Sequence, residues 1–148
     1  MKIYFAGPLF NEAEKRFNLE LTEKLESNGF EVFLPQRDGV EKNKPPYDTL
    51  DSDERRKAMF ELDRNEILAA KIFLFILDGR VPDEGACVEL GIAYAQKYLG
   101  QKEKILVGLQ TDSRAAFIGS KLNPMIKVPL DYIAGNEEEL IDFLLTKK

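Results

Sequence analysis

The stretch Lys71-Ile72-Phe73-Leu74-Phe75-Ile76-Leu77-Asp78-Gly79 decides the fold. From Ile72 to Leu77 no polar residue interrupts the run. A strand with one wet face alternates apolar and polar residues, whereas a strand covered on both faces does not. This segment is therefore read as the centre of a parallel sheet with helices on either side. Asp78-Gly79 turns the chain, and Asp83 stands where a helix N-cap belongs, leading into a helix from Glu84 to Leu99. Upstream, a helix is expected from about Ser52 to Lys71. The polar stretch Gln36 to Leu50, with Pro45-Pro46 inside it, reads as a long loop of the kind that often carries function.

The flanks repeat the alternation. Ile3-Tyr4-Phe5-Ala6 reads as a first strand ending at Gly7-Pro8. Phe17, Leu19, Leu21 and Leu25 give helical spacing between Asn11 and Asn28, and Gly29 closes that helix. Glu31 to Leu34 makes a second strand, Lys104 to Leu109 a fourth, and a short fifth is expected around Met125 to Val128. A last helix runs from Glu137 to Leu145. Strands alternating with helices define an α/β fold: a doubly wound, five-stranded parallel sheet, flavodoxin-like, in one domain over residues 1–148. Ligands of such folds sit beyond the carboxyl ends of the strands, where strand order reverses. That rule selects Tyr4 to Phe10, the loop after Leu34, and Asp78 to Glu89.

Composition removes several chemistries. There is no histidine, which excludes His-assisted nucleophilic hydrolysis and every His-based metal site. Protons must then be moved by carboxylates, Tyr, Lys or backbone groups. Cys87 is the one cysteine, so no internal disulfide forms, and its position facing away from Glu89 reads as small core. The net charge of −5, with no basic block, argues against a nucleic-acid partner and for a small molecule. No apolar run approaches the roughly 20 residues of a membrane helix. The opening MKIYFAGPLF lacks a signal-peptide pattern, so a cytoplasmic location is expected. No Walker-type or Gly-x-Gly-x-x-Gly loop appears.

Two carboxylates stand out by position. At about 100° per residue, Met59, Phe60, Ile67 and Ala70 share a helix side with Asp63. Either Asp63 bonds backbone amides or a nearby Arg there, or it is kept partly dry with a raised pKa that suits proton donation. Around Glu89 the same-face residues Gly85, Ala86, Ile92 and Ala93 are small or apolar. Small neighbours leave room for a ligand, and the first turns of a helix favour an anion. The competing reading is a Glu paired with Lys or Arg across a helix interface. Acetal cleavage needs such a pair: an acid for the leaving group and an anion for the sugar. Gly91 is expected to let helices pack closely.

The local sequence around these residues resembles the nucleoside 2-deoxyribosyltransferase family. The resemblance rests on Tyr4 within IYFAGPLF, Asp63 within ELDRNEI, Asp83-Glu84-Gly85-Ala86-Cys87-Val88-Glu89-Leu90-Gly91, and Leu122-Asn123-Pro124-Met125. It implies that Glu89 attacks the anomeric carbon, Tyr4 orients it, Asp63 is the acid/base at the nucleobase, and Asp83 holds sugar hydroxyls. Asn123 and Met125 would complete a neighbouring subunit's pocket, which implies a homo-oligomer. Leu9 and Phe10 fall where the family lines its base site, and Gly7 is counted with them as substrate-binding. The implied substrates are a nucleoside and a free nucleobase, with no metal or organic cofactor. Two departures bear on specificity: Pro8-Leu9 replaces a bulkier aromatic of some relatives, and Pro124 sits inside the Asn-x-Met element. Gln36 and Arg37 are weaker candidates for reading a base edge. The alternatives are a deoxynucleoside 5′-monophosphate N-glycosidase, for which the first loop lacks Ser and Arg, and a non-enzymatic flavodoxin-like module using Asp78.

Overall fold

Each residue of the central strand is buried, as its unbroken apolar run requires. The computed structural model describes residues 1–100, 103–112 and 122–148, and the elements below are those of the described residues. Five strands form one sheet: β1 (Lys2–Ala6), β2 (Glu31–Phe33), β3 (Ile72–Ile76), β4 (Ile105–Leu109) and β5 (Tyr132–Ala134). Their order is β2-β1-β3-β4-β5, and every pairing is parallel. The chain leaves β1 towards one edge to make β2, then returns past it to make β3. A crevice opens at the carboxyl ends of β1 and β3 for that reason.

The helices are α1 (Glu12–Ser27), α2 (Pro35–Asp38), α3 (Ser52–Ala69), α4 (Glu84–Leu99), α5 (Pro124–Lys127) and α6 (Glu137–Leu145). Local chemistry sets their starts. Asn11 accepts hydrogen bonds from the Ala13 and Glu14 amides while the Glu14 carboxylate returns to the Asn11 amide, and Asp51 and Glu54 do the same for α3. Gly29, at φ 78°, ends α1 in the left-handed conformation that a side chain disfavours.

The period of two along each strand divides the core. Ile3, Phe5, Leu74 and Ile76 pack under α1 and α6 through Leu21, Leu25, Leu140 and Leu144. Tyr4, Ala6, Phe73 and Phe75 pack under α3 and α4 through Ile67, Ala86, Leu90 and Ala93. Tyr4 is thereby committed to the α3/α4 side, its ring stacked between Phe33 and Phe73 at centroid distances of 5.7 and 5.8 Å.

Three expectations are corrected. Met125 to Val128 is not a strand. Asn123 accepts a hydrogen bond from the Met125 amide and Pro124 occupies the first helical position, so residues Pro124–Lys127 form the short helix α5. The fifth strand comes later, at Tyr132–Ala134. Four residues, three of them apolar, are too few for their period to separate helix from strand. The stretch after β2 is not wholly loop, since it contains α2 and a single 3-10 turn at Tyr47–Thr49. Gly91 faces outward, and a Cβ there would meet nothing within 4 Å, so it permits no close packing.

Gly7 does permit a close approach. A Cβ built there would lie 2.8 Å from Cβ of Ile76, a rigid branch point on the neighbouring strand. Gly7→Ala is expected to cost about 1–3 kcal/mol in urea denaturation through overpacking. Wild-type stability in that variant would contradict the close approach of the first loop to β3.

Candidate active site

Because β1 carries Tyr4 beneath α4, its hydroxyl meets that helix in its second turn. Tyr4 Oη donates a hydrogen bond to Glu89 Oε1 at 2.7 Å. Burial, then the charges of Glu89 and Asp63, hold the phenol far above its usual pKa, so it stays a donor. Burial also pushes Glu89 up to about 7, against the lowering effect of the Tyr4 bond, and Asp63 and Asp83 add to the rise. The helix position alone suggested an ionised Glu89. Burial works against that ionisation by holding the carboxyl well above its usual range. No Lys or Arg pairs with Glu89 among its hydrogen bonds and ion pairs in the described residues, so the interhelix ion-pair reading does not apply.

Asp63 projects from α3 into the same space. Burial first, and Glu66 second, push it up to about 6. Its helix stripe is only partly buried: Ile67 and Ala70 lie against the sheet, while Met59 and Phe60 are exposed. Phe60 packs under the Arg64 guanidinium at 5.7 Å instead. Asp83 has two duties. Its carboxylate caps α4 by accepting from the Ala86 amide at 2.8 Å, and it lines the crevice beside Glu89. A Cβ at Gly85 would stand 3.2 Å from Asp83 Oδ2, so glycine there keeps the carboxylate uncrowded.

These side chains border one cavity of ≈ 410 Å³ at the predicted switch point. Glu89, Asp63, Asp83, Gly7, Leu9 and Phe10 all line it, which brings six of the sequence candidates together. Tyr4 is reached through Glu89. Lys15, Val40, Glu41 and Met59 also line it and were not foreseen as site residues. Met59 had been placed on the helix face of Asp63, which was the available signal. Lys15 lies one turn past the α1 cap at the carboxyl edge of the sheet, a position legible only once the topology is known. Gln36 borders the cavity too, and its amide is oriented from behind: Asn18 Nδ2 donates to Gln36 Oε1 at 3.0 Å, and Gln36 Nε2 donates to the Lys15 carbonyl at 2.8 Å.

Other candidates lie elsewhere. Asn123 caps α5, Met125 is 80% exposed, and neither borders this chain's cavity. Arg37 is bound to Glu26, Asp38 and the Val32 carbonyl, a structural role. Asp78 accepts from the amides of Thr111 and Asp112, which fastens the end of β3 to the end of β4. Cys87 packs against the α3/α4 core, and burial raises its thiol. A wider cleft of ≈ 560 Å³ lies at the other end of α3, where buried Lys104 donates to the carbonyls of Ile67 and Ala70 and so closes the helix end. Among the described residues no three potential metal ligands come together, and no helix is long and apolar enough to cross a membrane.

A tyrosine-held glutamate sharing a crevice with a raised-pKa aspartate, on a parallel α/β sheet, has the parts that carboxylate-pair enzymes use on glycosidic bonds. The chain belongs to the nucleoside 2-deoxyribosyltransferase family, whose model matches residues 3–139. Its function is of that glycosyl-transferring type. The fold and chain length are similar to those of a 2-deoxyribosyltransferase from Bacillus psychrosaccharolyticus, at 25% identity and a TM-score of 0.78, covering 99% of this chain and 96% of that one. A conserved protein from Enterococcus faecalis V583 is similar at 28% identity and a TM-score of 0.77, covering 100% of this chain and 99% of that one. No curated protein matches significantly.

The site has a stability signature. Both Asp63 and Glu89 have folded pKa values above their unfolded ones, so the folded state binds more protons and loses stability as pH rises from about 4 through about 7. Glu89→Gln keeps an acceptor for Tyr4 and removes the charge. It is expected to be more stable than the wild type by about 1–2 kcal/mol near pH 8, with the gap closing towards pH 5. Urea midpoints at the two pH values test this. A variant less stable than wild type at both would contradict the burial of an uncompensated carboxylate.

Proposed function

We propose that the protein exchanges the base of 2′-deoxyribonucleosides by a retaining double displacement at Glu89. An ionised Glu89 oxygen attacks the anomeric carbon as the bond to the base nitrogen breaks, and the departing nitrogen takes the Asp63 proton. The sugar is then an ester of Glu89. A second base attacks from the vacated face, its proton passes to Asp63, and the carboxylate is released, so the β configuration is kept. Water in place of the second base gives hydrolysis as a side reaction. Tyr4 orients the attacking oxygen, and Asp83 holds sugar hydroxyls away from the reacting carbon. Leu9 and Phe10 offer apolar and aromatic surface to a flat base.

The observation that carries this reading is the 2.7 Å bond from Tyr4 to a glutamate that borders the same cavity as Asp63. The competent form carries one proton on the pair, placed on Asp63. Burial raises both carboxyls, Glu89 to about 7 and Asp63 to about 6, so the site itself does not hold the proton on Asp63 alone. Bound sugar and base then have to tilt the balance towards it. For the monophosphate N-glycosidase alternative the charges are adverse: Glu41, Asp63, Asp83 and Glu89 line the cavity against Lys15. For a non-enzymatic binding or signalling module using Asp78, both Asp78 oxygens already have partners in Thr111 and Asp112.

The reading extends to assembly. Asn123 and Met125 stand exposed and off their own chain's cavity, as residues serving a neighbouring subunit would. Val128, Tyr98 and Leu99 add exposed apolar surface of the kind that homo-oligomers bury. The whole unit, residues 1–148, works as one cytoplasmic domain in nucleoside salvage under this reading.

Incubating the protein with a deoxynucleoside and a second free base, then separating the products, tests the function. Exchange is expected, with a bell-shaped pH profile centred between about 6 and 7, because ionised Glu89 sets the acid limb and protonated Asp63 the alkaline one. Glu89→Ala should lose at least about a thousandfold in kcat while remaining folded. Exchange at the wild-type rate in that variant would end the nucleophile assignment.

A further inference from the structure

The charges behind the catalytic pair are arranged along one line. Lys2 and Tyr4 are two residues apart on β1 and so share the sheet face that lies under α3. Along α3, which runs back from the cavity towards the amino ends of the strands, Glu66 follows Asp63 by one turn on the same side. Glu66 Oε2 is cut off from solvent, and Lys2 Nζ lies 2.5 Å from it. Lys2 also reaches Glu31 at 3.8 Å, from the strand edge. Moving away from the cavity, the order is therefore Asp63, then Glu66, then Lys2: the ion pair turns its negative end to the acid and its positive end away.

We infer that Glu66, held in place by Lys2, is a positioning residue that biases the Asp63 carboxyl towards its protonated form. The inference deepens the proposed mechanism and rests on Asp63 being the proton donor there. Two carboxylates one helical turn apart and partly screened from water cannot both ionise without cost, and the exposed pairings available to surface acids are closed to this one. Lys2 holds the Glu66 carboxylate in place behind Asp63 and offsets part of its charge. Every other charge facing Asp63 has a known position. From β1 there is Tyr4, which donates to Glu89; from α4 there are Glu89 and Asp83; across the cavity are Lys15 of α1 and Glu41. Of these groups only Glu66 adds to the effect of burial in raising Asp63. Neither Lys2 nor Glu66 borders the cavity, so either can be changed without altering its lining.

The direct test follows the Asp63 carboxyl itself, without substrate. Protein labelled with ¹³C at the aspartate carboxyl carbon is titrated by NMR from about pH 4 to about pH 9, with the Asp63 signal assigned by its loss in Asp63→Asn. Glu66→Gln leaves Lys2 as an unbalanced cation and is expected to lower the Asp63 midpoint by about half a pH unit or more. Lys2→Met leaves Glu66 unbalanced and is expected to raise it, while Lys2→Arg keeps the wild-type midpoint. Should glutamine at position 66 fail to fold, Glu66→Ala gives the same reading. Any other pattern, including an unmoved midpoint or movement in one direction in both variants, overturns the inference. A loss of packing alone would not move the midpoint in opposite directions. The base-exchange pH profile should shift with the midpoints. If the midpoints move and the profile does not, Glu66 still governs Asp63, and it is Asp63 as proton donor that fails.

Discussion

The hydrogen bond from Tyr4 to Glu89 joins the first strand of the sheet to the helix that follows its central strand. Both ends are fixed by packing before they meet. The Tyr4 ring lies fully buried between Phe33 and Phe73, and α4 is seated through Ala86, Leu90 and Ala93. A phenol that cannot ionise and cannot rotate away is a permanent donor at one carboxylate oxygen. Glu89 itself borders the cavity, where a carboxylate is poorly solvated.

Around that bond the fold gathers acids that oppose one another. Asp63, Asp83 and Glu89 border one cavity, and Glu66 stands behind. Such a cluster lowers stability in proportion to the charge it retains, and the fold offsets this with its apolar layers on both sheet faces. Asp83 limits the expense by serving as the α4 cap as well as a cavity wall. Stability and activity are thus drawn in opposite directions by the same residues, as is common where a site needs carboxylates held partly dry.

Much of the fold was legible because β3 has no polar residue to hide its environment. Strand order then followed from alternation, and the switch point located the cavity. Asp63 and Glu89 were legible as exceptions, charges on helix faces that otherwise call for apolar or small residues. What stayed hidden depends on tertiary neighbours. The α5 turn was read as a strand because Met125 to Val128 is too short to carry a usable period, and its cap is a single side-chain bond accepted by Asn123. Lys15 is an ordinary surface charge in sequence, and Glu41 is one of many polar residues in the loop after β2; only the fold brings the two to one cavity. Glu66 looked like any helix acid until Lys2 was placed opposite it. The raised pKa of Glu89 comes from burial in the crevice, which no helix position could supply.

The most direct measurement looks for the sugar on the protein. The enzyme is mixed with a deoxynucleoside in the absence of acceptor base, quenched in acid, digested and analysed by mass spectrometry. A deoxyribosyl ester is predicted on the peptide containing Glu89, and it should disappear when free base is added before the quench. Turnover with no adduct, or an adduct carried by Asp63 or Asp83 instead, would contradict a glutamate held by Tyr4 as the group that captures the sugar.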